Sequence, residues 1–199
     1  QPVLGTNFLG NQIPYGTPPD NAMAISNGGK IVSSDNATIE YYSQSGQYLM
    51  INETHSDFFN DNSLNGNIFD PRLIYDSGAD RFIFVILHGS SSSNSKILIA
   101  FSKTNNPANG WWMYQVTGNP LSNSCWFDYP NIGISANDLF ITGNLFTDNG
   151  NFNSSVIYQM PKAQGYAGQS FSYSTFTNVT DAQGVSASSI VPASYGQQG

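Results

Sequence analysis

The chain has 199 residues, six Lys+Arg against thirteen Asp+Glu, and only 10% charged residues beside 14% aromatics. That balance excludes a helical bundle or coiled coil, which needs abundant Ala, Glu, Lys, Leu and Arg, and a disordered acidic chain, which lacks aromatic side chains. It also excludes nucleic acid as a partner, because six scattered cations cannot neutralise a run of phosphates.

In chain order, residues 22–26, 30–34, 38–43 and 47–51 read as four short strands. Asn27-Gly28-Gly29, Asp35-Asn36 and Gln44-Ser45-Gly46 separate them, and these residues supply side-chain caps and positive φ to turns. A second unit follows with strands at 71–75, 81–88, 95–102 and 111–116. Its run Arg81 to His88 is apolar on both faces, as a strand between two sheets must be. A third unit places strands at 131–135, 138–145, 154–160 and 170–176, and residues 184–190 open a fourth. The helix signal is nearly absent.

Each unit opens on an Asp beside a Pro: Pro19-Asp20, Asp70-Pro71, and Asp128 just before Tyr129-Pro130. A four-stranded unit recurring every 50 or so residues predicts an all-β fold, a β-propeller of antiparallel four-stranded blades. The blades fall at 18–51, 69–116 and 127–176, with the start of another over 184–199. Three blades and a start are too few for a ring of 4–8. The expected explanation is the N-terminal part of a longer propeller, because an open ring leaves apolar sheet faces unpaired. A four-blade ring closed by the N-terminal segment is the alternative.

No apolar run reaches the ~18 residues that span a membrane. The start, Gln1-Pro2 without an initiator Met, fits a mature secreted chain, and a fragment would look the same. The single Cys125 has no internal disulfide partner and reads as a small core residue. Sequons occur at Asn36, Asn52, Asn153 and Asn178, and in an Asn-rich chain they carry little meaning.

The combined series resembles a known group. It runs through Pro18-Pro19-Asp20-Asn21, Asp70-Pro71-Arg72-Leu73-Ile74-Tyr75-Asp76, Ser102-Lys103-Thr104-Asn105-Asn106-Pro107 with Gly110-Trp111-Trp112, and Trp126-Phe127-Asp128-Tyr129-Pro130. It looks like the large secreted β-propeller proteins of Bacteroidetes that are exported by type IX secretion. The resemblance implies an extracellular or surface-attached protein and no particular activity. The C-terminal sorting domain of those proteins is absent from this sequence.

Asp20, Asp70 and Asp128 each precede the first strand of a blade, the strand that lines a propeller channel. They form a candidate channel-mouth site with Arg72 and Tyr129, and a candidate Ca²⁺ site through their oxygens. Turn capping is the plainer and preferred role for the three acids. Arg72 is a candidate for bidentate recognition of a ligand carboxylate, whereas Arg81 is expected to pair with Asp76 or Asp80. With only two arginines, sialidase-type catalysis through an Arg triad is excluded. The segment Ser102 to Trp112 is similar in position to a sialidase Asp-box, a structural element. Asp148 to Asn153 reads as a hairpin loop before it reads as a calcium loop. Tyr129, Trp126, Trp111 and Tyr166 are candidates to stack on sugars, but most are expected to fill the wedge between blades instead.

The expected function is a non-catalytic binding or structural module at the cell surface, with a glycan or a surface protein as partner. One alternative is a secreted carbohydrate-active enzyme whose site lies partly beyond residue 199. Another is a subunit of a larger surface complex.

Overall fold

The computed structural model describes residues 5–11, 18–64 and 67–193, with residues 50–52 by backbone alone. Among these, three sheets of four antiparallel strands follow one another along the chain. The first holds β1 (Ala22–Ile25), β2 (Lys30–Ser34), β3 (Thr38–Ser43) and β4 (Tyr48–Thr54). A single turn of helix, α1 (His55–Phe58), leads to the second. That sheet holds β5 (Ile68–Asp76), β6 (Arg81–His88), β7 (Lys96–Ser102) and β8 (Trp111–Thr117). The third holds β9 (Cys125–Ile134), β10 (Asp138–Thr147) and β11 (Phe152–Pro161), then α2 (Lys162–Ala167) and the short edge strand β12 (Ser174–Phe176).

The second sheet is sandwiched, which explains its two-faced apolar run. Side chains alternate across a strand. Thus Ile83, Val85 and Leu87 with Ile97, Ile99 and Phe101 face the third sheet. Phe82, Phe84 and Ile86 with Leu98 and Ala100 face the first. Each side chain buried this fully contributes about 1.5–3 kcal/mol, so the two interfaces hold the stack together. Trp111 closes the first interface by donating its indole N–H to the Tyr41 hydroxyl at 2.7 Å. The first strands of successive sheets adjoin, β1 against β5 and β5 against β9. Their N-terminal ends are therefore gathered at one end of the stack.

Three expectations need correction. The fourth strand of the third unit shrinks from 170–176 to Ser174–Phe176: α2 ends at Ala167, and residues 169–173 between the two form neither helix nor strand. Six residues are too few to show a helical period in sequence, and the helix stops at Gly168 in the left-handed conformation, φ 65°. Gly165 within it lies against the Phe101 ring, where an added Cβ would come within 2.5 Å. Second, no strand forms over the described part of 184–199; a lone bridge joins Thr180 and Ser186. The chain instead laps back over the far face of the third sheet. Thr142 and Ser155 donate their hydroxyls to the Ile190 and Ala187 carbonyls, and the Ser189 N–H donates to Asn144 Oδ1 at 2.9 Å. The strap thus satisfies the polar side chains Thr142, Asn144 and Ser155 of that face. Residues 194–199 lie outside the described residues. Third, Arg81 makes no ion pair with Asp76 or Asp80. Its Nη1 donates to the Asp80 carbonyl at 2.9 Å, while Asp76 is held by Lys162.

Candidate functional site

The gathered ends of β1, β5 and β9 bring the predicted residues together. Asp20 and Asp70 both adopt left-handed backbone, φ 44° and 57°. In the third sheet that conformation falls on Tyr129, φ 56°, one residue after Asp128. Asp70 and Tyr129 each precede a Pro, and each sits at a slip of strand register. One slip lies between Phe69 and Arg72, the other opposite Thr142 and Asn144. These are β-bulges, which bend a strand and re-aim a side chain. The sequence equated Asp128 with Asp70; the backbone matches Tyr129 to Asp70. An Asp tolerates the left-handed region, whereas a Tyr there costs about 1–2 kcal/mol. Gly143 makes room for the second bulge. A Cβ on it would lie 2.3 Å from the Phe127 ring and 2.7 Å from the Asp128 carbonyl oxygen.

Asn36, in the β2–β3 turn, organises the first two acids. Its Nδ2 donates to Asp20 Oδ2 at 2.8 Å and to the Pro18 carbonyl at 3.0 Å. Its Oδ1 accepts the Asp70 backbone N–H at 2.8 Å. The sequence pattern marks Asn36 as a turn residue and a sequon and gives it no role at this site. Its role depends on a contact across 34 residues, which no local pattern encodes.

The half-buried Asp70 carboxyl takes no hydrogen bond among the described residues. Burial pushes its pKa up, the Arg72 guanidinium pulls it down, and the Asp20 charge pushes it up again. Asp128 is also raised by burial, relieved by the Tyr129 N–H donated to its Oδ1 at 2.8 Å, and raised further by Asp70. The acids thus form an electrostatic row, Asp20 to Asp70 to Asp128. The preferred capping role holds for Asp128, whose Oδ1 accepts the backbone N–H of Tyr129; Asp20 is instead bonded by the Asn36 side-chain amide, and the Asp70 carboxyl by no group among the described residues. Among the described residues no group of three or more His, Cys, Asp or Glu is arranged to hold a metal ion. Asp20, Asp70 and Asp128 therefore make no three-carboxylate Ca²⁺ shell.

Arg72 stitches the two bulges together. Its Nε donates to the Pro130 carbonyl at 2.7 Å and its Nη1 to the Pro71 carbonyl at 2.8 Å. With Nε committed to Pro130, the Nε–Nη2 edge of the guanidinium is no longer a free fork for a ligand carboxylate. Of the sugar-stacking candidates, Trp111 is buried and Tyr166 partly buried against the second interface. Tyr129 is 57% exposed and Trp126 partly exposed. Asp148 accepts the Ser92 N–H and hydroxyl at 2.7 and 2.6 Å, so its loop ties two sheets rather than a cation. Cys125 is buried, and burial raises its thiol pKa, as suits a core residue.

A second polar cluster lies at the other end of β5, and the sequence reading missed it. Asp76 Oδ2 accepts from the Lys162 ammonium at 2.6 Å and the Tyr166 hydroxyl at 2.7 Å. Its Oδ1 caps the turn through the Gly78 and Ala79 N–H groups. The cluster borders a cleft of about 610 Å³ that includes Ile134 and Asn137. The Asp76 carboxylate already accepts four hydrogen bonds, so it offers a ligand little.

No family model and no curated protein matches the chain. Two solved structures match part of the chain. An α-L-arabinanase mutant of Cellvibrio cellulosa matches 78% of this chain at 14% identity, with a TM-score of 0.48. A GH43 endo-arabinanase from Bacillus licheniformis matches 74% at 13% identity, with a TM-score of 0.45. The chain spans about half of each, 51% and 55% of their lengths.

Proposed function

We propose that the three sheets are consecutive blades of a β-propeller, and that the gathered strand ends cleave glycosidic bonds of a neutral glycan. One observation carries this reading: Asp70, half-buried and without a hydrogen-bond donor among the described residues, stands in a row of like charges beside Asp128. Glycoside hydrolysis needs one carboxyl that keeps its proton and one that stays charged. A donor on the charged form favours that form. Asp128, held by the Tyr129 N–H, is then the base that takes a proton from the attacking water. Asp70 is the acid that gives its proton to the leaving oxygen as the C–O bond breaks. Asn36 and Arg72 fix the two bulges that present these acids. This reading prefers the carbohydrate-active alternative to the non-catalytic module, because a merely structural acid would be expected to have a donor. An extracellular setting belongs to the proposal, and its support is the composition and the sequence resemblance. The nearest test is reducing-end release from a panel of neutral polysaccharides. Asp70→Asn and Asp128→Asn should each lower turnover by about 10²–10⁴. Release unchanged in both variants, or absent from the wild type across the panel, would sink the reading.

A further inference from the structure

His55 opens α1 and is 3% exposed between the first two sheets, so its burial owes nothing to what adjoins their outer faces. Its Nε2 lies 2.8 Å from the Asp35 carbonyl oxygen. A carbonyl only accepts, so Nε2 carries the proton and the neutral ring keeps a bare lone pair at Nδ1. That Nδ1 is buried and has no partner among the described residues.

The bond matters because of the peptide it holds. The Asp35 carbonyl belongs to the same planar unit as the Asn36 N–H, and in a trans unit the two point opposite ways. His55 holds one side, and on the other the Pro19 carbonyl accepts the Asn36 N–H at 3.1 Å. The Ser34 hydroxyl also reaches the Asp35 carbonyl, at 3.2 Å, but lies nearer the Thr38 carbonyl, at 3.0 Å. With its peptide plane fixed, Asn36 sets its amide between the Asp20 carboxylate and the Asp70 N–H. The path from the imidazole to the carboxylate row runs through a single peptide and a single side chain.

We propose that His55 is a positioning residue for the carboxylate row: its neutral Nε2–H form holds the turn that carries Asn36, and a second proton on the ring releases that turn. The effect on turnover rests on the reading of the row as a glycoside-cleaving site; the coupling to Asn36 and Asp70 does not. A proton at Nδ1 would be a buried, charged donor without an acceptor, which costs more than a neutral lone pair. One unspent acceptor belongs to the same turn. Asp35 Oδ1 accepts the Ala37 and Thr38 N–H groups, whereas its Oδ2 is buried and has no partner among the described residues. Nδ1 and Oδ2 are out of hydrogen-bonding reach of each other, so the ring or the turn must move for them to meet.

Asp35 is also the charge that acts on the imidazole. β6 presents the uncharged Phe84 ring at 5.8 Å. On β3 the Tyr41 hydroxyl is taken by Trp111, and Glu40, on the alternate face, is bonded by Tyr42. Glu53 of β4 and Asp57 of α1 act on each other. Burial lowers the His55 pKa from its ordinary value of about 6.5, and the Asp35 carbonyl and charge offset part of that. The turn is therefore held at neutral pH and released as pH falls through a value below about 6.5.

The experiment follows the full chain by NMR. Imidazole nitrogen shifts at pH 7 should show the Nε2–H form. As pH falls, the Asn36 and Asp70 amide signals should show a step at the His55 midpoint. In His55→Gln, whose side-chain amide donates but does not titrate, that step should vanish and both amides should stay protected from exchange. His55→Leu should speed exchange at these two amides by about three- to tenfold at pH 7 and leave the β7 and β10 amides unchanged. It should also lower kcat with KM unchanged, because the acids shift and the substrate contacts do not. The proposal is overturned by an Nδ1–H ring, or by Asn36 and Asp70 amides that ignore the His55 titration. It is equally overturned if both variants speed exchange alike across the first two sheets, which would mark a plain core role. Should His55→Leu not fold, the wild-type titration and His55→Gln decide alone. Amide coupling without glycan cleavage by the wild type would retain the positioning role and remove the catalytic reading. Cleavage without amide coupling would do the opposite.

Discussion

One strand carries two carboxylates with opposite fates. Asp70 and Asp76 sit near the two ends of β5, about 18–20 Å apart at strand rise. Asp76 is 4% exposed and accepts from an ammonium, a phenol and two backbone N–H groups. These partners outweigh burial and hold its pKa below the usual carboxylate range. Asp70 is more exposed but has no donor among the described residues, and its pKa is raised. Burial alone therefore does not set the charge state of these acids; the supply of donors does. The Asp76 end locks α2 to the second sheet. The Asp70 end keeps an unsatisfied acid, the usual price of a reactive site.

The strongest way to break the contrast is Lys162→Met. It leaves Asp76 buried without its counter-charge and should lower stability by about 3–5 kcal/mol in urea unfolding. Tyr166→Phe removes one bond to a charged acceptor and should cost about 1.5–3 kcal/mol by the same measurement. Asn36→Ala frees the Asp20 carboxylate and the Asp70 N–H together, and a loss of about 1 kcal/mol is expected. Asp70→Asn should go the other way, adding about 0.5–1 kcal/mol at neutral pH while turnover falls.

The pH dependence sharpens the same contrast, with opposite signs at the two ends. A depressed carboxyl contributes stability above its unfolded pKa of about 3.9, lost as pH falls through the folded value. That is Asp76. A raised carboxyl binds its proton more tightly in the folded state, so its contribution falls as pH climbs through the folded value, which lies above about 3.9. That is Asp70. The stability gained by Asp70→Asn should therefore shrink as pH is lowered toward 4 and below. Wild-type and variant unfolding curves that stay parallel from pH 3 to 7 would contradict this.

Much of the fold was legible because its signals are local. The strands Lys30–Ser34, Thr38–Ser43 and Arg81–His88 begin and end where their turns dictate. Asp20, Asp70, Arg72, Asp128 and Tyr129 were found through their repeated position beside Pro. Their partners were not. Asn36 reaches Asp70, and Lys162 reaches Asp76 across 86 residues, so neither spacing nor composition points to them. The register of the third unit was also hidden. Asp128 and Tyr129 differ by one residue, and which one takes the left-handed bulge depends on Gly143 yielding space on the facing strand.

The sequence by itself determined the secondary structure class, the four-strand rhythm and the absence of a basic surface, because strand alternation, turn chemistry and net charge are properties of neighbouring residues and of sums. Tertiary structure decided which acids are paired, which is left without a donor, and where the strap crosses the third sheet. Those outcomes depend on desolvation and hydrogen bonds between residues far apart in the chain, and such energies exist only once the sheets have stacked.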